Sequence, residues 1–123
     1  SVLESNPLSI YSTGNQTRTY CYYSDAITGI LSIIRKGSSG HTYNLGNDAP
    51  EVSALELVNI FSSSIGKKIN YKLVPYPKEY PQDEPIRRLP SIEKIKRELS
   101  YIPKINLEEG LCKTWEWAKD FYG

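Results

Sequence analysis

The chain has 123 residues, of which 39% are apolar and 24% charged, with acids and bases mixed to a formal net charge of +1. That length predicts a single domain, residues 1–123, able to bury roughly two-thirds of its unfolded surface. The balanced charge leaves no basic stripe for nucleic acid or anionic lipid, and no apolar run reaches the length a bilayer requires, so neither partner is expected. The one histidine, His41, falls in a Gly40-His41-Thr42 turn, which excludes metal clusters and histidine-based nucleophiles and makes it an exposed loop residue. Cys21 and Cys112 lie far apart with no CxxC pair, and read as reduced thiols of a cytoplasmic protein. The chain contains no methionine, from which a removed initiator or a longer parent is expected.

In chain order, the polar residues Ser1–Asn6 read as a severed linker before a short strand ending at Tyr11. Thr13-Gly14-Asn15 supplies the turn chemistry for a hairpin-like reversal into the β-prone run Thr17–Tyr23, whose alternation puts Arg18, Tyr20 and Tyr22 on one face. An arginine held beside tyrosines suits an anionic, planar ligand, because guanidinium meets phosphate bidentately and a phenol ring offers a stacking face. It equally suits an edge-strand arginine paired with a carboxylate. Ser24 or Asp25 can cap a helix to Lys36 whose apolar positions Ile27, Ile30, Leu31 and Ile34 recur at helical spacing. Gly37-Ser-Ser-Gly40 ends it, and Thr42–Leu45 reads as the next strand.

Ser53 and Glu56 form a capping box that opens a helix with Ala54, Leu57, Val58, Phe61 and Ile65 on its apolar stripe and Gly66 at a left-handed C-cap. Ile69–Val74 follows as a strand. Pro75, Pro77, Pro81, Pro85 and Pro90 then rule out a continuous helix or a central strand, so the stretch reads as an irregular loop. It carries Asp83, Glu84, Arg87 and Arg88, which support either a binding role or a surface pair between Arg87 and Glu84. Ser91 caps a short helix with Ile92, Ile95 and Leu99 inward, and Leu107, Leu111, Trp115, Ala118 and Phe121 line a final one. Trp115 reads as core.

Taken together, Pro7, Leu8, Ile10 and Tyr11, then Gly14, Gln16, Thr17, Arg18, Tyr20 and Asp25, resemble a known pattern. Tyr43-Asn-Leu-Gly46, Asp83-Glu-Pro85, Arg87-Arg88-x-Pro90 and Leu107-Glu-Glu-Gly-Leu111 follow in the same order. The pattern resembles the C-terminal half of NAD-dependent nucleotide-sugar epimerases and dehydratases, which are extended short-chain dehydrogenases, and most nearly UDP-glucuronate decarboxylases and related 4,6-dehydratases or 4-epimerases. The resemblance implies a small mixed α/β lobe of short strands and about four helices, the substrate-binding portion of an enzyme whose Rossmann lobe binds NAD. It implies that Arg18 and Arg87 engage the pyrophosphate of a nucleotide-diphosphate sugar, with Arg88 as a neighbour and Tyr11 near the nucleoside. Asp25 and Asn44 are read as structural.

The same resemblance implies isomerase or lyase chemistry through a 4-keto sugar and a homodimer when full length. This chain carries neither a Gly-x-x-Gly-x-x-Gly loop nor a Tyr-x-x-x-Lys pair, so no catalytic or cofactor-binding residue is assigned and the chain alone is expected to be inactive. A non-catalytic binding or interaction module derived from the family is the alternative. Three positions depart from the pattern: Ser12 and Ser100 stand where the family usually carries glycine, and Ser91 where it carries aspartate.

Overall fold

The computed structural model describes residues 1–81 and 84–123, which form two compact units. The first comprises residues 1–18, 52–88 and 108–123, the second residues 19–51 and 89–107. Five short strands and four helices account for the regular structure among the described residues, a small mixed α/β arrangement of the kind expected.

In the first unit, β1 (Leu8–Tyr11) pairs in parallel with β4 (Tyr71–Val74), in the register Leu8 to Tyr71 and Tyr11 to Val74. β2 (Thr17–Arg18) lies between β3 (Val52–Ser53), antiparallel, and β5 (Arg87–Arg88), parallel. The expected hairpin is therefore replaced: β1 and β2 enter different sheets. The turn between them folds onto the start of the helix that begins at Ala54 instead, the Gly14 carbonyl accepting from the Leu55 N–H at 3.2 Å and the Gln16 carbonyl from the Ala54 N–H at 3.3 Å. Gly14 has φ +73°, and a Cβ there would lie 2.8 Å from Leu55 Cγ, so both conformation and space demand glycine. The expected strand to Tyr23 contracts to two residues because Tyr23 already starts a helix. β5, inside the proline-rich stretch, is a short strand at the sheet edge, where neighbouring prolines are tolerated.

The capping box forms as read. The Ser53 hydroxyl accepts from the Glu56 N–H at 3.1 Å, and Glu56 accepts from the Ser53 N–H at 2.7 Å. These bonds hold the Glu56 carboxyl below its usual range. They open α2 (Ala54–Ser64), after which Gly66 has φ +62°. Val58 packs with Ile10 and Ile69, flanked by Leu8, Leu55, Phe61 and Ile65. On α4 (Leu107–Tyr122), Trp115 meets Phe61 edge-on at 6.0 Å, and the Cys112 thiol donates to the Ser64 carbonyl at 3.1 Å. Phe121 departs from the expected inward stripe: it is 70% exposed and stacks on Trp117 at 5.6 Å.

The second unit is centred on α3 (Glu93–Leu99), with Ile92, Ile95, Leu99 and Tyr101 buried against Ile33, Tyr43 and Leu45. Burial, then the Cys21 thiol beside it, pushes the Tyr101 phenol up, and its hydroxyl donates to the Gly46 carbonyl at 3.0 Å. The apolar stripe of α1 (Tyr23–Lys36) faces outward, with Ile27, Ile30, Leu31 and Ile34 between 48% and 74% exposed. The buried positions are Asp25 and Gly29, with Ile33 reaching the core. Gly29 is the reason for the close approach: a Cβ there would lie 2.2 Å from Leu45 Cδ1 and 2.9 Å from the Tyr101 ring.

Neither Ser24 nor Asp25 caps α1, whose N-cap is Tyr22 without a side-chain bond. Asp25 is nonetheless structural, its Oδ2 accepting from the Lys104 and Ile105 N–H groups at 2.9 Å each. Ser91 likewise does not cap α3, whose N-cap is Ile92. Thr42–Leu45 is not a strand. Side chains hold it instead: Asn44 Nδ2 donates to the Ser91 carbonyl at 3.1 Å, Lys94 Nζ to the Thr42 carbonyl at 2.9 Å, and the Tyr43 hydroxyl to Glu98 at 3.0 Å. His41 is exposed, with Nδ1 3.7 Å from Glu98. Ser12 and Ser100 have φ +57° and +54°, so both turns keep the left-handed geometry that glycine adopts without strain.

Candidate functional site

The first unit gathers Arg18, Arg88 and Glu84. Parallel register sets Arg18 opposite Arg88 on adjacent strands, so the two side chains share one face, while alternation turns Arg87 to the other. One carboxylate bridges the pair. Arg18 Nη2 lies 2.6 Å from Glu84 Oε1, and Arg88 Nη2 lies 3.2 Å from Glu84 Oε2. Glu84, considered as a surface partner for Arg87, pairs with Arg18 and Arg88. Arg18 also donates through Nη1 to the Thr17 carbonyl at 2.7 Å and the Ile86 carbonyl at 3.2 Å, and through Nη2 to the Pro85 carbonyl at 2.8 Å. Its side chain is 18% exposed, against 58% for Arg88.

A cavity of about 330 Å³ adjoins this cluster, lined by Ser12, Thr13, Asn15, Gln16, Tyr76 and the Glu84–Ile86 segment. Tyr76 joins two other tyrosines, with Tyr11 5.6 Å away and Tyr80 4.4 Å away between ring centroids. Gln16 Nε2 donates to the Tyr11 carbonyl at 3.3 Å, tying the tyrosine to the cavity floor. Chemically the arrangement offers two guanidinium groups, amides and hydroxyls for polar edges, and an aromatic wall. Of the residues singled out from sequence, the fold brings Arg18 and Arg88 together, places Tyr11 on the aromatic trio and sets Arg87 apart from the pair. Asp83 lies outside the described residues. Tyr76 and Gln16 were not singled out as site residues, and Glu84 was read only as a residue of the proline-rich loop or a surface partner of Arg87; the long separation of Tyr76 and Glu84 from Arg18 hid their convergence, whereas Gln16 stood two residues from Arg18.

Among the described residues no group of three His, Cys, Asp or Glu side chains gathers to hold a metal ion. Among the described residues the turn from β3 into α2 does not fit NAD. A dinucleotide pyrophosphate needs a glycine-rich strand-to-helix turn with open N–H groups, whereas the turn from β3 into α2 is Val52-Ser53-Ala54, with the Ala54, Leu55 and Glu56 N–H groups met by the Gln16 carbonyl, the Gly14 carbonyl and the Ser53 hydroxyl, and the Ser53 N–H by the Glu56 carboxylate.

The NAD dependent epimerase/dehydratase family model matches residues 1–46. UDP-glucuronic acid decarboxylase 1 of Danio rerio is 35% identical over 115 residues, which are 94% of this chain and 26% of that protein. A UDP-glucuronic acid 4-epimerase of Bacillus cereus, solved with UDP-4-deoxy-4-fluoro-glucuronic acid and NAD, superposes with a TM-score of 0.86 at 27% identity, covering 98% of this chain and 38% of that one. The dTDP-glucose 4,6-dehydratase DesIV of Streptomyces venezuelae superposes with a TM-score of 0.84 at 26% identity, covering 99% of this chain and 37% of that one. The chain spans about a quarter of the length of the decarboxylase it matches. No helix among the described residues is long and apolar enough to cross a membrane.

Proposed function

We propose that this chain, which belongs to the NAD dependent epimerase/dehydratase family, supplies the part that binds the nucleotide diphosphate of a sugar-nucleotide substrate. The observation that carries the reading is the register pairing of Arg18 with Arg88 beside the cavity walled by Tyr76. Two guanidinium groups on adjacent strands balance the two or more charges of a diphosphate and fix its direction. Gln16, Asn15 and the tyrosines offer partners for a nucleoside. In this reading Arg88, and not Arg87, is the second diphosphate contact, because Arg88 shares Arg18's face.

NAD and the sugar chemistry belong, in the same reading, to a Rossmann lobe outside these 123 residues. The outward stripe of α1, Ile27 through Ile34, is the surface on which such a lobe packs, since so much exposed aliphatic area costs free energy in water. Whether the whole enzyme is a decarboxylase, dehydratase or epimerase is set by residues facing the sugar. Calorimetric titration of this chain with UDP, dTDP, CDP and GDP tests the reading. Binding that prefers one base and falls at least tenfold in Arg18→Ala and in Arg88→Ala supports it. Binding untouched by both substitutions overturns it and leaves the non-catalytic interaction module.

A further inference from the structure

We propose that Glu84 is a displaceable internal anion that holds the place of the ligand's diphosphate and swings away when the nucleotide binds. The proposal rests on the nucleotide-binding reading above. The two terminal nitrogens of Arg18 carry four hydrogens and meet four acceptors: the carbonyls of Thr17, Pro85 and Ile86, and the Glu84 carboxylate. Three of these belong to the backbone of paired or proline-anchored chain and stay. Only the carboxylate can leave by rotating its own side chain. Glu84 also lines the 330 Å³ cavity, so it stands between the arginines and the space a ligand would fill.

The charge balance favours exchange. Among the described residues one carboxylate sits between two guanidinium groups, which leaves a positive excess, whereas a diphosphate supplies the second negative charge and enough oxygens for both. Once Glu84 leaves, Arg18 remains aimed by its three carbonyl partners, so the ligand meets a donor that is already ordered. The carboxylate meanwhile keeps the arginines from folding onto other surface acids while the site waits. Nucleotide affinity is consequently set below what the arginines alone would give, because each binding event must first break the bridge.

The test compares the chain with Glu84→Gln and Glu84→Ala, titrated with inorganic pyrophosphate and with UDP. Losing a charge-assisted bridge should tighten binding of both probes about tenfold in Glu84→Gln. Equal or weaker binding in Glu84→Gln, with Arg18→Ala still abolishing binding by the unsubstituted chain, overturns the proposal and leaves the nucleotide-binding reading standing. No binding of either probe by any of the proteins overturns that reading and the proposal with it. A second readout needs no substitution of the bridge: the carbon-13 resonance of the Glu84 carboxyl should move to the position of a free glutamate as UDP saturates the chain. A resonance that stays put at saturation refutes displacement.

Discussion

Replacing Asp25 by alanine tests whether the buried acid of α1 is structural. Asp25 is 6% exposed, and one oxygen accepts two backbone N–H bonds at 2.9 Å from Lys104 and Ile105. Alanine orphans both donors in a partly buried segment. At about 1.5 kcal/mol each, after allowing for water reaching the more exposed Lys104, the loss is about 3 kcal/mol. For 123 residues, an unfolding entropy of about 2.1 cal/mol/K per residue converts this to a melting point lower by about 12 °C. Asparagine keeps an acceptor oxygen without the charge and should lose about half as much. Thermal melts followed by circular dichroism at neutral pH provide the assay. A drop below about 3 °C for Asp25→Ala would show that the two bonds contribute nothing net, and the structural assignment of this acid would fail.

Gly29→Ala should destabilise by about 1–3 kcal/mol despite alanine's better helix propensity, because the new Cβ meets Leu45 at 2.2 Å and a buried tyrosine ring at 2.9 Å; urea unfolding checks this. Ser100→Gly should stabilise by about 0.5–1 kcal/mol, since φ +54° strains serine more than the unfolded chain gains from glycine; a lower melting point would contradict it. Tyr43→Phe tests the acid limb. The Tyr43 hydroxyl holds Glu98 below its usual 4.5, so the unfolded chain takes up that proton first as pH falls. The stabilisation is complete above about pH 4.5 and is lost as pH falls through the lowered value. The gap in urea midpoint between Tyr43→Phe and the parent should therefore narrow from pH 7 to pH 3.

Local signals carried the parts of this fold that local physics decides. The Ser53/Glu56 capping box, the α2 stripe around Val58, the Gly66 turn and the inward Ile92, Ile95 and Leu99 follow from caps and periodicity alone. Pairing did not, because β1 finds its partner 63 residues on, in β4, and a turn that looks like a hairpin can as well rest on a helix. The α1 stripe misled for a related reason: periodicity names an apolar face without saying what covers it, and here Asp25, Gly29 and Ile33 face the core while Ile27, Ile30, Leu31 and Ile34 face outward. At the candidate site, Arg18 was legible as a strand arginine, although Tyr20 and Tyr22, read on its face, fall beyond the end of β2. The pairing of Arg18 with Arg88 across adjacent strands was not, since it depends on the register between β2 and β5. Ser12 and Ser100 mark the opposite case, in which the backbone conformation persists after the glycine that suits it has gone.

The central claim is that Arg18 and Arg88 together hold a nucleotide's diphosphate. Nitrogen-15 spectra of the arginine side chains, recorded while UDP is added, test it most directly. The guanidinium signals of Arg18 and Arg88 should shift along one shared binding curve, with Arg87, on the opposite face, moving little. Saturable UDP binding that leaves the Arg18 and Arg88 signals in place would contradict it.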